Sequence, residues 1–394
     1  EVELMAKRLW ILALVVVLIA SGVFGCSKPA PPSGGGDQQP ESSEAPQFDG
    51  EILVGIMVPV TGSEATYGQD MENAIRIAAD EINAAGGVLG KELKFTLGDD
   101  GCDPQMCTAA ASKLVSSEVV AVLGGYCSGA TIPALKIYGD AKVPFVILAA
   151  NSTQLIDENP GWAFMINSPG YHQADAAADC FEKLNVSKLA LVHQGDGFSE
   201  NLAELTREEW QGRGHEVVAY DVVNKGEQDF SSLVTKIRSS GAEGVYWTAY
   251  HADGAQLIKQ LRQGGYTGEI VVADGSSSIQ LLEIAGAAGE GVYCTSPPVV
   301  EFLPAAQQFI SAYNKKYNQQ PGPYAGLSYD GTYLLADAIE RAGSTDPDAI
   351  RDALAATDNF KTLSGTIKFT PENVLEESNF IIIKGEGGKW VLVE

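Results

Sequence analysis

Residues 51–97 read EILVGIMVPVTGSEATYGQDMENAIRIAADEINAAGGVLGKELKFTL. Glu51 to Val58 is a nearly unbroken apolar, β-branched run, the composition of a strand covered on both faces. Met71, Ala74, Ile75, Ile77, Ala78 and Ile82 then recur at helical spacing, which predicts a helix with one buried face. Gly86-Gly87 stops that helix, since glycine takes the left-handed backbone conformation freely. Residues 93–97 resume as strand. A buried strand, a crossover helix and a second strand make the opening of a parallel α/β sheet, with a right-handed connection.

Outward from this stretch the same alternation continues. Helices are expected over 109–115 and 130–138, and strands over 119–123 and 143–148. A second round then begins, with helices over 174–184, 200–212, 230–240 and 254–264 and strands over 188–192, 216–220, 244–248 and 269–273. After Val292-Tyr293-Cys294 the pattern turns helical over 304–317, 324–342 and 347–355, with short strands expected at 365–369, 379–383 and 390–393. Two rounds of one grammar and a helical coda predict two doubly wound Rossmann-like lobes, the chain crossing back to complete the first. The length of 394 residues, too large for one ordinary core, and an apolar content of 45% agree with two globular units.

The net charge of −25 repels nucleic acid and anionic lipid headgroups, so no nucleic-acid partner is expected. The N-terminal region carries the single membrane signal. Lys7 and Arg8 precede an apolar run over 9–19 and then Ser21-Gly22-Val23-Phe24-Gly25-Cys26, the layout of a secretory signal. Val23-Phe24-Gly25-Cys26 resembles a bacterial lipobox, which implies a diacylglyceryl thioether on Cys26; a secreted protein with an unmodified cysteine is the alternative. Residues 27–47 (SKPAPPSGGGDQQPESSEAPQ) have the composition of a flexible tether. The expected organisation is a signal over 1–25, a lipidated Cys26 with linker to 49, one lobe from 50–167 and 298–378, and the other from 168–297 and 379–394.

Three places at strand ends carry chemistry. The strand 119–123 runs into Gly124-Gly125-Tyr126-Cys127-Ser128-Gly129, and 143–148 runs into Ala149-Ala150-Asn151-Ser152-Thr153. Both offer hydroxyls and free backbone N–H groups where a helix begins, a setting that suits a carboxylate. Asp274 ends the strand 269–273 in the second round and offers an acid for an ammonium. Helix capping would explain either serine alone, and Asp274-Gly275 is also an ordinary turn pair.

The stretch 54–93, together with DDGCDP (99–104), GGYCSGAT (124–131), YDGTYLLADAIERAG (329–343) and SGTIKFTPE (364–372), resembles the leucine/isoleucine/valine-binding family of periplasmic amino-acid receptors. The likeness keeps order and spacing from about Glu51 to Glu394. It implies the type I periplasmic binding protein fold, two lobes hinged by three segments near Asn167, Ser296 and Ser378. By resemblance, Ser128 and Ser152 take the ligand carboxylate, with Asn151 beside them, while Asp274 and the backbone of Ala150 take the ammonium. Tyr67, Tyr126, Phe198, Tyr250 and Tyr324 match positions near the side-chain pocket; ordinary aromatic core is the competing reading. A disulfide between Cys102 and Cys127 is likewise implied, with Cys107 a rival for Cys102 and buried thiols the simplest reading of Cys180 and Cys294.

The implied function is a lipid-anchored extracytoplasmic receptor, a monomer, binding a free amino acid of branched-chain or small aliphatic type for an ABC importer in a bacterial membrane. A sensor of the same fold for an amide or carboxylate is the alternative. No cofactor or metal is expected, because the four histidines (His172, His193, His215 and His251) are scattered. No enzyme is expected either. Tyr126 stands where a nucleophile elbow needs glycine, and Lys136 with Asp140 makes no catalytic set.

Overall fold

The computed structural model describes residues 46–393. The signal at 1–25, Cys26 and the tether up to residue 45 lie outside the described residues. β1 (Glu51–Val58), β2 (Glu92–Asp99), β3 (Val122–Gly124), β4 (Phe145–Ile147) and β5 (Ala163–Met165) form a wholly parallel sheet in the order β2-β1-β3-β4-β5. β6 (Lys188–His193), β7 (Glu216–Val222), β8 (Gly244–Trp247), β9 (Glu269–Val272) and β10 (Tyr293–Ser296) repeat that order as β7-β6-β8-β9-β10, again all parallel. β11 (Phe360–Lys361) and β12 (Thr366–Ile367) pair as a small antiparallel ribbon. β13 (Ile381–Glu386) and β14 (Lys389–Leu392) extend the second sheet beyond β10 as antiparallel strands.

The local reasons are those of any α/β layer. β1 is buried from Val54 to Val58 except for its first residues, because helices cover both faces of the sheet. The helix Ala65–Ala84 turns Met71, Ala74, Ile75, Ala78 and Ile82 inward. It ends where Gly86 N and Gly87 N donate to the Asn83 and Ile82 carbonyls. Gly124, with φ +147°, closes β3 against β1; a Cβ there would lie 1.9 Å from the Met57 carbonyl oxygen, so only glycine fits.

The chain passes between the sheets three times: after β5, after β10 and before β13. The first and third passages are laced together. Asn379 N donates to Ser168 Oγ at 2.8 Å, Ser168 N donates to Asn379 Oδ1 at 3.2 Å, and Asn379 Nδ2 donates to the Ile166 carbonyl at 3.2 Å. A two-lobed α/β fold joined by three segments is therefore observed.

Several elements differ from the sequence expectation. β5 was not anticipated, nor were the helices Gln154–Asp157 and Ile279–Ala285, because segments of three to seven residues carry too few positions for a period to emerge. β3, β4 and β12 are shorter than the runs 119–123, 143–148 and 365–369, since apolar flanks continue the core after ladder pairing stops. The helix expected over 304–317 opens as a 3₁₀ turn at Pro304–Ala306 and becomes α-helical at Gln307–Tyr317.

Candidate functional site

Both sheets change winding direction at their centre, between β1 and β3 and between β6 and β8. Crevices form beyond the carboxyl ends of strands at such points. Here the two crevices face each other. A small cavity between them is lined by Tyr126 after β3, Ala149 and Asn151 after β4, Phe198 after β6, Tyr250 after β8, Asp274 and Gly275 after β9, and Tyr324. Each lining group except Tyr324 thus comes from a strand end; Tyr324 caps the helix Ala325–Ala342.

Asp274 is 1% exposed. Its carboxylate accepts from Gln173 Nε2 at 3.1 Å, Asn167 Nδ2 at 3.3 Å and its neighbour Gly275 N at 3.0 Å, with the Tyr324 hydroxyl beside it. No cation pairs with it among the described residues. Burial pushes its pKa up from the usual 3.8 to about 6, and the hydrogen bonds from Gln173, Tyr324, Asn167 and Gly275 only partly oppose that.

Ser128 opens the helix Ser128–Ala141, and its Oγ receives Asn151 N and Ser152 N, each at 3.2 Å. That hydroxyl therefore stitches the two strand-end loops of the first sheet together and keeps its own proton free to donate. Ser152 Oγ accepts from Gln154 N at 3.3 Å, a local turn bond of the kind that the capping alternative describes. Ala150 N donates to the Gly125 carbonyl, and it is Ala149, not Ala150, that lines the cavity. The Ala149 carbonyl is tied to Asn167 Nδ2 at 2.6 Å, and the same amide nitrogen reaches Asp274.

The aromatic residues gather as one cluster. Tyr67 stacks on Tyr126 with centroids 4.8 Å apart, Tyr324 meets Tyr126 edge-on at 5.4 Å, and Tyr250 lies 5.7 Å from Phe198. Tyr126, Phe198, Tyr250 and Tyr324 wall the cavity, whereas Tyr67 stands behind Tyr126 and bridges to the second sheet's side instead. Core packing and cavity lining prove to be compatible roles, since all five are buried.

Cys102 and Cys127 are bonded, with Cα atoms 5.4 Å apart, so the bridge anchors the residue just before Ser128. Cys107, Cys180 and Cys294 are buried free thiols. Lys136 and Asp140 form an exposed ion pair at 2.7 Å. Among the described residues no group of three metal-ligating side chains converges.

Three polar residues of the site escaped sequence reasoning: Asn167, Gln173 and Thr295, each with no measurable exposure. Gln173 carried a legible signal. On the helix Gly170–Lys183 it sits in register with buried Ala177, Cys180 and Phe181, so a polar residue occupies a core position of the stripe.

A family model described as periplasmic binding protein matches residues 51–389. The chain belongs to that family. This periplasmic binding protein is 31% identical to a Leu/Ile/Val-binding protein homolog 1 from Brucella abortus, over 86% of this chain and 91% of the relative. Among solved structures it is similar to a leucine binding protein, LivK, from Thermotoga maritima, at 26% identity and a TM-score of 0.82, covering 87% of this chain and 98% of that one. It is also similar to LivJ, a branched-chain amino acid transporter substrate binding protein from Streptococcus pneumoniae in complex with isoleucine. There the identity is 27% and the TM-score 0.79, over 86% and 97% of the two chains. Membership implies an extracytoplasmic protein of a solute-binding, not catalytic, family. No helix among the described residues is long and apolar enough to cross a membrane.

Proposed function

We propose that the cleft binds one free α-amino acid, of branched-chain or other small aliphatic type, and that the closed protein delivers it to the membrane subunits of an ABC importer. The observation that carries this reading is Asp274. A carboxylate this deeply buried, holding donors but no cation, is set to receive an ammonium. The Ser128 hydroxyl, which receives Asn151 N and Ser152 N and keeps its own proton, supplies a donor for the carboxylate end, and Tyr126, Phe198, Tyr250 and Tyr324 surround the side chain. Opposite charges of one ligand are then held by opposite sheets, so that only the closed arrangement satisfies both.

The relatives, named for binding leucine, isoleucine and valine, agree in ligand class with this reading. In the same proposal the lobes comprise 50–167 with 298–378 and 168–297 with 379–394. The protein acts as a monomer without catalysis, tethered to a bacterial membrane through acylated Cys26 and the linker that follows it. Mass spectrometry of small molecules released on unfolding the purified protein, followed by calorimetry with the twenty amino acids, tests it. One or more small neutral amino acids should bind, and the deaminated analogue of the best ligand should bind at least a hundredfold more weakly. Equal affinity for the deaminated analogue would remove Asp274 from the role and favour a sensor of carboxylates.

A further inference from the structure

We propose that Gln173 is a positioning residue for the ammonium site, holding Asp274 in place and tying it to Asn151 across the cleft. The inference rests on the amino-acid-binding reading for its functional meaning, but its geometry stands without it.

Gln173 is completely buried and uses both ends of its amide. Nε2 donates to Asp274 Oδ1 at 3.1 Å, to Thr295 Oγ1 at 2.9 Å and to the Thr295 carbonyl at 3.3 Å. Oε1 accepts from Asn151 Nδ2 at 2.8 Å. The orientation is forced. A carboxylate and a carbonyl on one side can only accept, so the amide nitrogen must face them and the oxygen must face Asn151. Thr295 is fixed in turn by the Tyr246 hydroxyl at 2.9 Å. Gln173 thus joins three pieces of chain: Asn151 after β4 of the first sheet, Asp274 after β9 and Thr295 within β10 of the second.

Two consequences follow from elementary chemistry. The donated hydrogen bond stabilises the ionised form of Asp274, which an ammonium ligand requires. The bond to Asn151 joins the helix Gly170–Lys183 to the loop after β4 of the first sheet, beside the bond from Gly170 N to the Asn151 carbonyl, so it favours the apposed arrangement. Gln173 does this without itself lining the cavity.

Gln173→Met keeps the shape and removes both functions; Gln173→Glu keeps the acceptor for Asn151 but sets a second carboxyl against Asp274. L-Isoleucine binding would be measured by calorimetry from pH 5 to 8 on both variants and wild type, with carboxyl carbon NMR of Asp274 in the ligand-free proteins. Gln173→Met should weaken binding about 10- to 100-fold, the range for a hydrogen bond to a charged group, and should raise the Asp274 titration midpoint. Gln173→Glu should raise the titration midpoint of Asp274, because two facing carboxyls hold one proton between them, so the loss of affinity on acidification should set in at higher pH than in wild type. Unchanged Asp274 titration in Gln173→Met, or wild-type pH dependence in Gln173→Glu, overturns the proposal. Should Gln173→Met fail to fold, the pH profile of Gln173→Glu decides. If wild type binds none of the twenty amino acids, the functional reading falls, while the NMR titration still judges Gln173.

Discussion

The Tyr67 hydroxyl donates to the Gly275 carbonyl at 3.1 Å and accepts from Ser278 N at 3.2 Å, so a residue on the first sheet's helix Ala65–Ala84 is bonded to the turn that follows β9 of the second. Gly275 is the immediate neighbour of Asp274. Closure of the cleft and placement of the acid are thereby linked through one phenol.

Tyr67→Phe keeps the stack on Tyr126 and deletes both bonds. Each is worth roughly 0.5–1.5 kcal/mol net, so ligand affinity should fall about tenfold, mostly through faster dissociation. Stopped-flow kinetics checks the rate, and small-angle scattering should find the unliganded variant more open than wild type.

Asp274→Asn should reduce amino-acid affinity at least a hundredfold at pH 7, as measured by calorimetry. In wild type the affinity should fall below about pH 6, tenfold per unit, because a proton then competes with the ammonium for the same carboxylate.

The same acid sets a stability signature. A folded-state value of about 6 lies above the ordinary 3.8, so its favourable contribution is complete below pH 4 and is lost as pH rises through 6. Ligand-free Asp274→Asn should therefore be more stable than wild type at pH 7, by roughly 1–3 kcal/mol, with the gain vanishing near pH 4. Asp70 and Asp100, also buried and pushed up to about 6, act in the same direction in both proteins and cancel in the difference. Urea denaturation at the two pH values checks the sign.

Replacing both Cys102 and Cys127 by serine should cost about 2–4 kcal/mol of stability, the range for a bridge closing a loop of this length, with 25 residues separating the partners. Ser128 follows Cys127 directly, so affinity should drop as well. Thermal denaturation with and without reductant measures the first effect and calorimetry the second.

Cys26→Ala should move the protein from the membrane fraction to the soluble extracytoplasmic fraction without altering ligand affinity. Mass spectrometry of the wild-type N-terminal peptide should find a diacylglyceryl adduct on Cys26.

Sequence by itself determined the two-round α/β architecture, since strands covered on both faces and helices with one apolar stripe leave periodic traces in local composition. β1, Pro347–Ala355 and the alternation through β9, apart from β5 and the short helix before it, were legible for that reason. It also placed Ser128, Asn151, Ser152 and Asp274 at strand ends, where loops carry polar groups. Tertiary structure alone decided which of these meet. Asn151 and Asp274 come from different sheets and are joined by Gln173, and Asn167 bonds both the Ala149 carbonyl and Asp274. It also moved Tyr67 from cavity wall to bridge, and chose Cys102 over Cys107. Contacts between chain segments a hundred residues apart follow from how two sheets pack face to face, and that packing leaves no local period for a single sequence to display.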